Sequence, residues 1–172
     1  IRAQYPQFTV DKIYADAYVQ QSGADGSYYP DVNNALKKRL DYGCLLLNYI
    51  GHGSSQYIGT ERYMMKSDIA AYTNYNQLPF FITSTCTFGR YDDPQETCGA
   101  EEFLLANGGG IACLAASRPI SHNKEVNATM VLEALNPDIL LYGEGWAASA
   151  PLYDESKLAF KRYTYRMPGI GA

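Results

Sequence analysis

The stretch that decides the fold is Cys44-Leu45-Leu46-Leu47-Asn48-Tyr49-Ile50, which opens directly into Gly51-His52-Gly53-Ser54-Ser55. Its apolar character is continuous rather than alternating. Two further runs share this pattern, Phe80-Phe81-Ile82-Thr83-Ser84-Thr85 and Gly110-Ile111-Ala112-Cys113-Leu114-Ala115-Ala116. Each is short and bounded by Gly or Pro, as expected of strands buried on both faces of a sheet.

Helical spacing surrounds the three runs. Val32, Ala35, Leu36 and Leu40 recur on one face between Asp31 and Leu40, and Gly43 follows as a stop. Ser67 is the expected cap of a short helix through Ile69 to Tyr72. Glu101 to Ala106 reads as a helix ended by Asn107-Gly108-Gly109-Gly110. Asn123 is the expected cap of another through Val126, Met130 and Leu135, closed by Asn136-Pro137. Strands alternating with helices predict an α/β fold, a parallel sheet with helices on both faces. The pattern beyond Leu140 assigns no element.

Composition narrows the function. The chain has 172 residues and a net charge of −4, with no basic block. A nucleic-acid partner is therefore not expected. No apolar run approaches the ~20 residues of a membrane-spanning helix. The chain opens at Ile1, inside a continuing pattern and without a signal peptide, and reads as a fragment of one domain spanning residues 1–172. Sixteen tyrosines suit an exposed recognition surface and an extracellular setting.

In open α/β sheets, ligands bind beyond the carboxyl ends of the strands. The first run exits into His52, the second into Cys86-Thr87-Phe88-Gly89-Arg90, and the third into Ser117-Arg118-Pro119-Ile120. If the first two strands are neighbours, they lie about 4.8 Å apart, and an imidazole and a thiol at their tips come within proton-transfer reach. That pair suits nucleophilic catalysis, with Cys86 as nucleophile and His52 as base and then acid. Gly51 and Gly53 allow a sharp turn, and the amides of Gly53 and Cys86 are candidate oxyanion donors.

Each residue also has a plainer reading. A Gly-His-Gly turn is commonly an ordinary loop. Cys44 and Cys113 read as small buried hydrophobes within strands. Cys98 is either a free thiol or a disulfide partner. His122 reads as part of a helix cap. Arg118 either contacts substrate or pairs with a loop acid, and Arg90 to Pro94 reads as a turn. None of the four cysteines forms a CxxC pair, and two histidines without clustered acids make no zinc site.

Two blocks carry a family resemblance. Leu47-Asn48-Tyr49-Ile50-Gly51-His52-Gly53-Ser54 resembles the catalytic histidine segment of the gingipain-type cysteine peptidases of the caspase-like clan. Thr83-Ser84-Thr85-Cys86-Thr87-Phe88-Gly89-Arg90-Tyr91-Asp92-Asp93-Pro94 resembles the nucleophile loop of the same group. Gly99-Ala100-Glu101, Gly108 to Ala112 and Lys12 to Tyr18 also fit. Within the group the stronger likeness is to the PorU-type sortase of the type IX secretion system.

The resemblance implies a caspase-like sheet flanked by helices, with Cys86 as nucleophile, His52 as base, and Gly53 and Cys86 at the oxyanion. It implies cleavage of the C-terminal sorting domain from secreted cargo, by hydrolysis or transpeptidation, on the outer face of the bacterial outer membrane. Other outer-membrane secretion components would be partners. No catalytic cofactor is implied, and a structural calcium ion is compatible with the reading. Ser117, Arg118 and Tyr57 are the candidate substrate-groove residues. The family's orienting acid is expected upstream of Ile1, which would make the domain incomplete here. Glu61 is the candidate local substitute, followed by Asp92 and Asp93. Relatives carry a tryptophan after the Gly-His-Gly turn, where this chain has Ser55-Gln56-Tyr57-Ile58. The alternative is a non-catalytic caspase-like scaffold within a surface secretion machine.

Overall fold

A computed structural model of the chain describes residues 3–24, 26–121 and 124–135. His122, Asn123 and the Asn136-Pro137 stop lie outside the described residues, as does everything beyond 135. The described residues fall into two compact units, one of residues 3–12 and 124–135, the other of residues 13–24 and 26–121.

The larger unit holds the sheet. Strands β3 (Leu46–Ile50), β6 (Phe80–Ser84) and β7 (Ala112–Leu114) lie in the order β3-β6-β7, and both pairings are parallel. These are the three apolar runs. Central β6 is buried from Phe81 to Ser84, while Phe80 is only partly covered. Alternation along the strand sends Phe81 and Thr83 to one face and Ile82 and Ser84 to the other.

Helix α1 (Pro30–Tyr42) precedes the sheet, α2 (Lys66–Ala70) crosses from β3 to β6, and α3 (Gly99–Leu105) crosses from β6 to β7. The helices α2 and α3 pack against each other, so they share a face. Right-handed crossovers to strands added in one direction require this. Leu36 and Leu40 of α1 join the same core, with Met64, Ile69, Phe81, Phe88 and Phe103. The opposite face of β6 is covered as well, since Ile82 and Ser84 are buried, as expected of a parallel sheet flanked by helices. Phe81 anchors it through tilted and edge contacts to Phe103 and Phe88, at centroid distances of 5.2 and 5.8 Å.

Capping explains the helix ends. Gly43 ends α1 at φ 98°, a left-handed conformation that favours glycine. Ser67 is not the cap of α2. Met65 holds that position, and the Asp68 carboxylate accepts from its amide at 2.8 Å. The same device starts α3, where Glu101 accepts from the Cys98 amide at 2.8 Å. After α3, Asn74 clamps the glycine turn. Its amide nitrogen donates to the Gly109 carbonyl and its oxygen accepts from the Gly109 amide, both at 2.9 Å.

Two small hairpins were not legible in the sequence. Strands β1 (Gln21–Gly23) and β2 (Gly26–Tyr28) pair antiparallel, as do β4 (Tyr57–Ile58) and β5 (Met64–Met65). They are too short to show an alternating pattern.

In the smaller unit, helix α4 (Lys124–Ala134) buries Met130, Val131 and Ala134, and Leu135 just past its end. The Tyr5 hydroxyl donates to the Leu132 carbonyl at 3.4 Å, and the Tyr5 ring meets Phe8 edge-on.

Candidate active site

The parallel register sets the site. Tyr49 pairs with Thr83 and Ile50 with Ser84, and the ladder continues one step as the Gly51 amide donates to the Ser84 carbonyl at 3.3 Å. His52 and Cys86 each stand two residues beyond the last matched pair. The two turns also touch. A methyl group at Gly53 would collide with the Thr85 side chain and lie 2.8 Å from the Tyr57 carbonyl. Glycine at 53 is what lets the histidine turn press against the residue before Cys86.

His52 is exposed and Cys86 half-buried. The Cys86 thiol faces the turn after β7 and donates to the Ile120 carbonyl at 3.6 Å. The residue after it, Thr87, holds φ 52°, an outlier for a β-branched side chain. Such strain persists only where surroundings enforce it. Here the Gly89 amide donates to the Ala116 carbonyl at 2.9 Å, and Phe88 is buried with its carbonyl accepting from the Ala100 amide at 3.0 Å.

The histidine turn is held by β4. The Gly59 amide donates to the His52 carbonyl at 2.7 Å, and the Ser54 amide donates to the Tyr57 carbonyl at 2.9 Å. These bonds flank the bridge between Gly53 and Ile58. In this pattern the flanked residues are a non-hydrogen-bonded pair, so the Gly53 amide points away from β4. The Tyr49 hydroxyl donates to the His52 carbonyl at 2.9 Å. The loop after the nucleophile is tied to the same region, with Ser55 donating to Glu96 at 2.9 Å and Lys66 to the Thr97 carbonyl at 2.8 Å.

The structure brings the other sequence-predicted residues to different places. Arg118 is exposed and forms a two-pronged ion pair with Asp92, one bond at 2.9 Å. That guanidinium holds the Asp92 carboxyl below the usual carboxylate range. Asp93 pairs with Arg90 at 3.2 Å and accepts from the Gln95 amide at 3.0 Å, which builds the turn. Of the two readings of Arg118, pairing with a loop acid is the one seen. Ser117 is buried, and its carbonyl accepts from Arg118. Tyr57 lines a cleft of about 390 Å³ with Gln56, Arg62, Lys66 and Glu102. Glu61 faces Tyr63, whose hydroxyl is pushed up to about 12 by burial first and by this carboxylate second.

All four cysteines are free, so Cys98 is no disulfide partner within the chain. Cys98 sits buried at the start of α3, and burial pushes its thiol up to about 11. Cys113 is buried in β7 with its thiol raised for the same reason. Cys44 precedes β3 rather than lying inside it, because the ladder begins at Leu46. Among the described residues, no group of three or more His, Cys, Asp or Glu is placed to hold a metal ion, and no helix is long and apolar enough to cross a membrane.

Sequence reasoning missed Tyr49 and Thr85. Tyr49 reads as strand core, and only its place on the same face as Gly51 hinted at contact with the turn.

Among solved structures, the chain is similar to the complex of Porphyromonas gingivalis RgpB pro- and mature domains, at 28% identity and a TM-score of 0.48. It is similar to the Arg-specific cysteine proteinase gingipain R (RgpB), at 27% identity and a TM-score of 0.48. Each match covers 52% of this chain and 22% of the other, so the chain corresponds to a minor part of those proteins. No curated protein matches. The family model of peptidase family C25 matches residues 1–162, nearly the whole chain. The chain therefore belongs to peptidase family C25, the gingipain family of cysteine peptidases.

Proposed function

We propose that this chain carries the Cys–His catalytic pair of a cysteine endopeptidase, with Cys86 as nucleophile and His52 as base. The observation that supports it most is the register, which sends both residues out of adjacent parallel strands at the same step. The Cys86 thiol loses its proton to the His52 imidazole, and the thiolate attacks the scissile carbonyl carbon. The Gly53 amide, aimed away from β4, and the Cys86 amide stabilise the oxyanion. The carbon–nitrogen bond then breaks, and the imidazolium returns its proton to the leaving amine. A thioester on Cys86 remains. Water releases a free carboxylate from it, or an amine takes the acyl group, and the thiol is regenerated in both cases.

The substrate reading is a sortase acting on secreted proteins with C-terminal sorting domains, at the outer face of the outer membrane and alongside other secretion components. The PorU-like sequence blocks around His52 and Cys86 support it. The cleft beside Tyr57 and the exposed Arg118–Asp92 pair are the candidate substrate contacts. No catalytic cofactor enters the scheme, and calcium, if bound, would be structural.

The test is cleavage of a cargo–sorting-domain junction by the full-length protein and by Cys86→Ala. Loss of cleavage is expected in the variant. Cleavage at the normal rate by Cys86→Ala would end the proposal in favour of a scaffold role for this chain.

A further inference from the structure

The histidine turn rests on a tyrosine floor. Tyr49, the penultimate residue of β3, lies two residues before Gly51 and on the same face of the strand. Its hydroxyl donates to the His52 carbonyl at 2.9 Å. A methyl group at Gly51 would meet this hydroxyl and lie 2.8 Å from its ring carbon, so the phenol is folded directly beneath the turn. The His52 carbonyl also accepts from the Gly59 amide at 2.7 Å.

Tyr49 is itself held. The Tyr63 ring meets it edge-on at 6.3 Å between centroids, and Tyr29 packs against Tyr63 at 6.0 Å. A carbonyl bound by two donors has little freedom to rotate, and the direction of the His52 side chain follows from its backbone. A rigid supporting shell of this kind keeps a reacting group within the narrow tolerance that catalysis needs.

We propose that Tyr49 is a positioning residue for the candidate base, its hydroxyl fixing the His52 turn while the Tyr63 ring holds Tyr49 in place. The proposal rests on the Cys86–His52 reading above.

The test is Tyr49→Phe in the full-length protein, which keeps the ring and removes the donor. Inactivation by an acyloxymethyl ketone separates binding of the probe from its reaction with Cys86. The expected result is unchanged binding with the reaction step slowed by about tenfold to a hundredfold, the range for a small misplacement. The pH profile of Cys86 alkylation should also move. Tyr63→Leu, which removes the ring contact and leaves the Tyr49 hydroxyl, should change the same parameters by less, and serves if Tyr49→Phe does not fold. A wild-type protein whose Cys86 reacts no faster than a model thiol would overturn the underlying dyad. An activated wild type with superimposable behaviour in a folded Tyr49→Phe, or in Tyr63→Leu where Tyr49→Phe does not fold, would overturn the tyrosine proposal alone.

Discussion

Ile50 and Ser84 are partners in the last paired step of the β3–β6 ladder. Each strand runs two residues further, one to His52 and the other to Cys86. Because parallel neighbours advance together, the two backbones leave the sheet at the same step, and the Cys86 thiol there donates to the Ile120 carbonyl.

Thiol chemistry should follow burial. Cys86 is half-buried, whereas Cys98 and Cys113 are covered and have raised thiol pKa values. Limited iodoacetamide at neutral pH should label Cys86 before either, with the other two reacting only in denaturant. Peptide mass spectrometry reads the order, and early labelling of Cys113 would contradict it.

Replacing the base should affect chemistry more than binding. In the full-length protein, His52→Ala should lower kcat by about a hundredfold or more, the usual contribution of a positioned proton carrier. Steady-state kinetics on a sorting-domain substrate would detect it. A kcat within twofold of wild type would contradict the assignment.

Gly53→Ala should destabilise the protein by about 1–3 kcal/mol, the usual range for overpacking. The added methyl meets Thr85 and the Tyr57 carbonyl. Thr85→Ala in the same chain should recover part of the loss, since only the side-chain clash is relieved. Urea midpoints of the two single variants and the double variant give the coupling.

Asn74→Ala should cost about 1–3 kcal/mol, because it strips both groups of Gly109 of their partner inside the fold. Thermal unfolding measures it. A Tm indistinguishable from wild type would show that the glycine turn does not need the clamp.

Stability should fall at alkaline pH. Burial holds the Cys98 and Cys113 thiols above the usual thiol range and the Tyr49 and Tyr72 hydroxyls above the usual phenol range. The unfolded chain therefore loses these protons first and is favoured as pH rises. Stability should be level below about pH 8 and decline as pH climbs through 9 towards the folded value of about 11 for Cys98. Urea midpoints across that window would reveal a decline or its absence.

Much of the sheet was legible because burial is written locally. Leu46 to Ile50, Phe80 to Ser84 and Ala112 to Leu114 are largely apolar, which suits strands of a covered parallel sheet, although only the central β6 is buried nearly throughout and Asn48 of β3 is exposed. Their exits picked out His52 and Cys86. The hairpins at 21–28 and 57–65 left no such trace, being two or three residues a strand. The fate of the charged side chains was equally hidden. Nothing in the order of residues says that Arg118 meets Asp92, or that Glu61 turns to Tyr63.

The sequence by itself determined the strand identities, the parallel α/β class and the two residues at the strand exits. All of these follow from apolar periodicity and from where it stops. Only the tertiary structure decided that Ile50 matches Ser84, that Thr85 fills the space beside Gly53, and that the Tyr49 hydroxyl lies beneath His52. The first two relations join segments far apart in the chain, and the third depends on how the Tyr49 side chain folds under its own turn. Packing and hydrogen-bond geometry choose them after the strands have come together, and no local pattern encodes that choice.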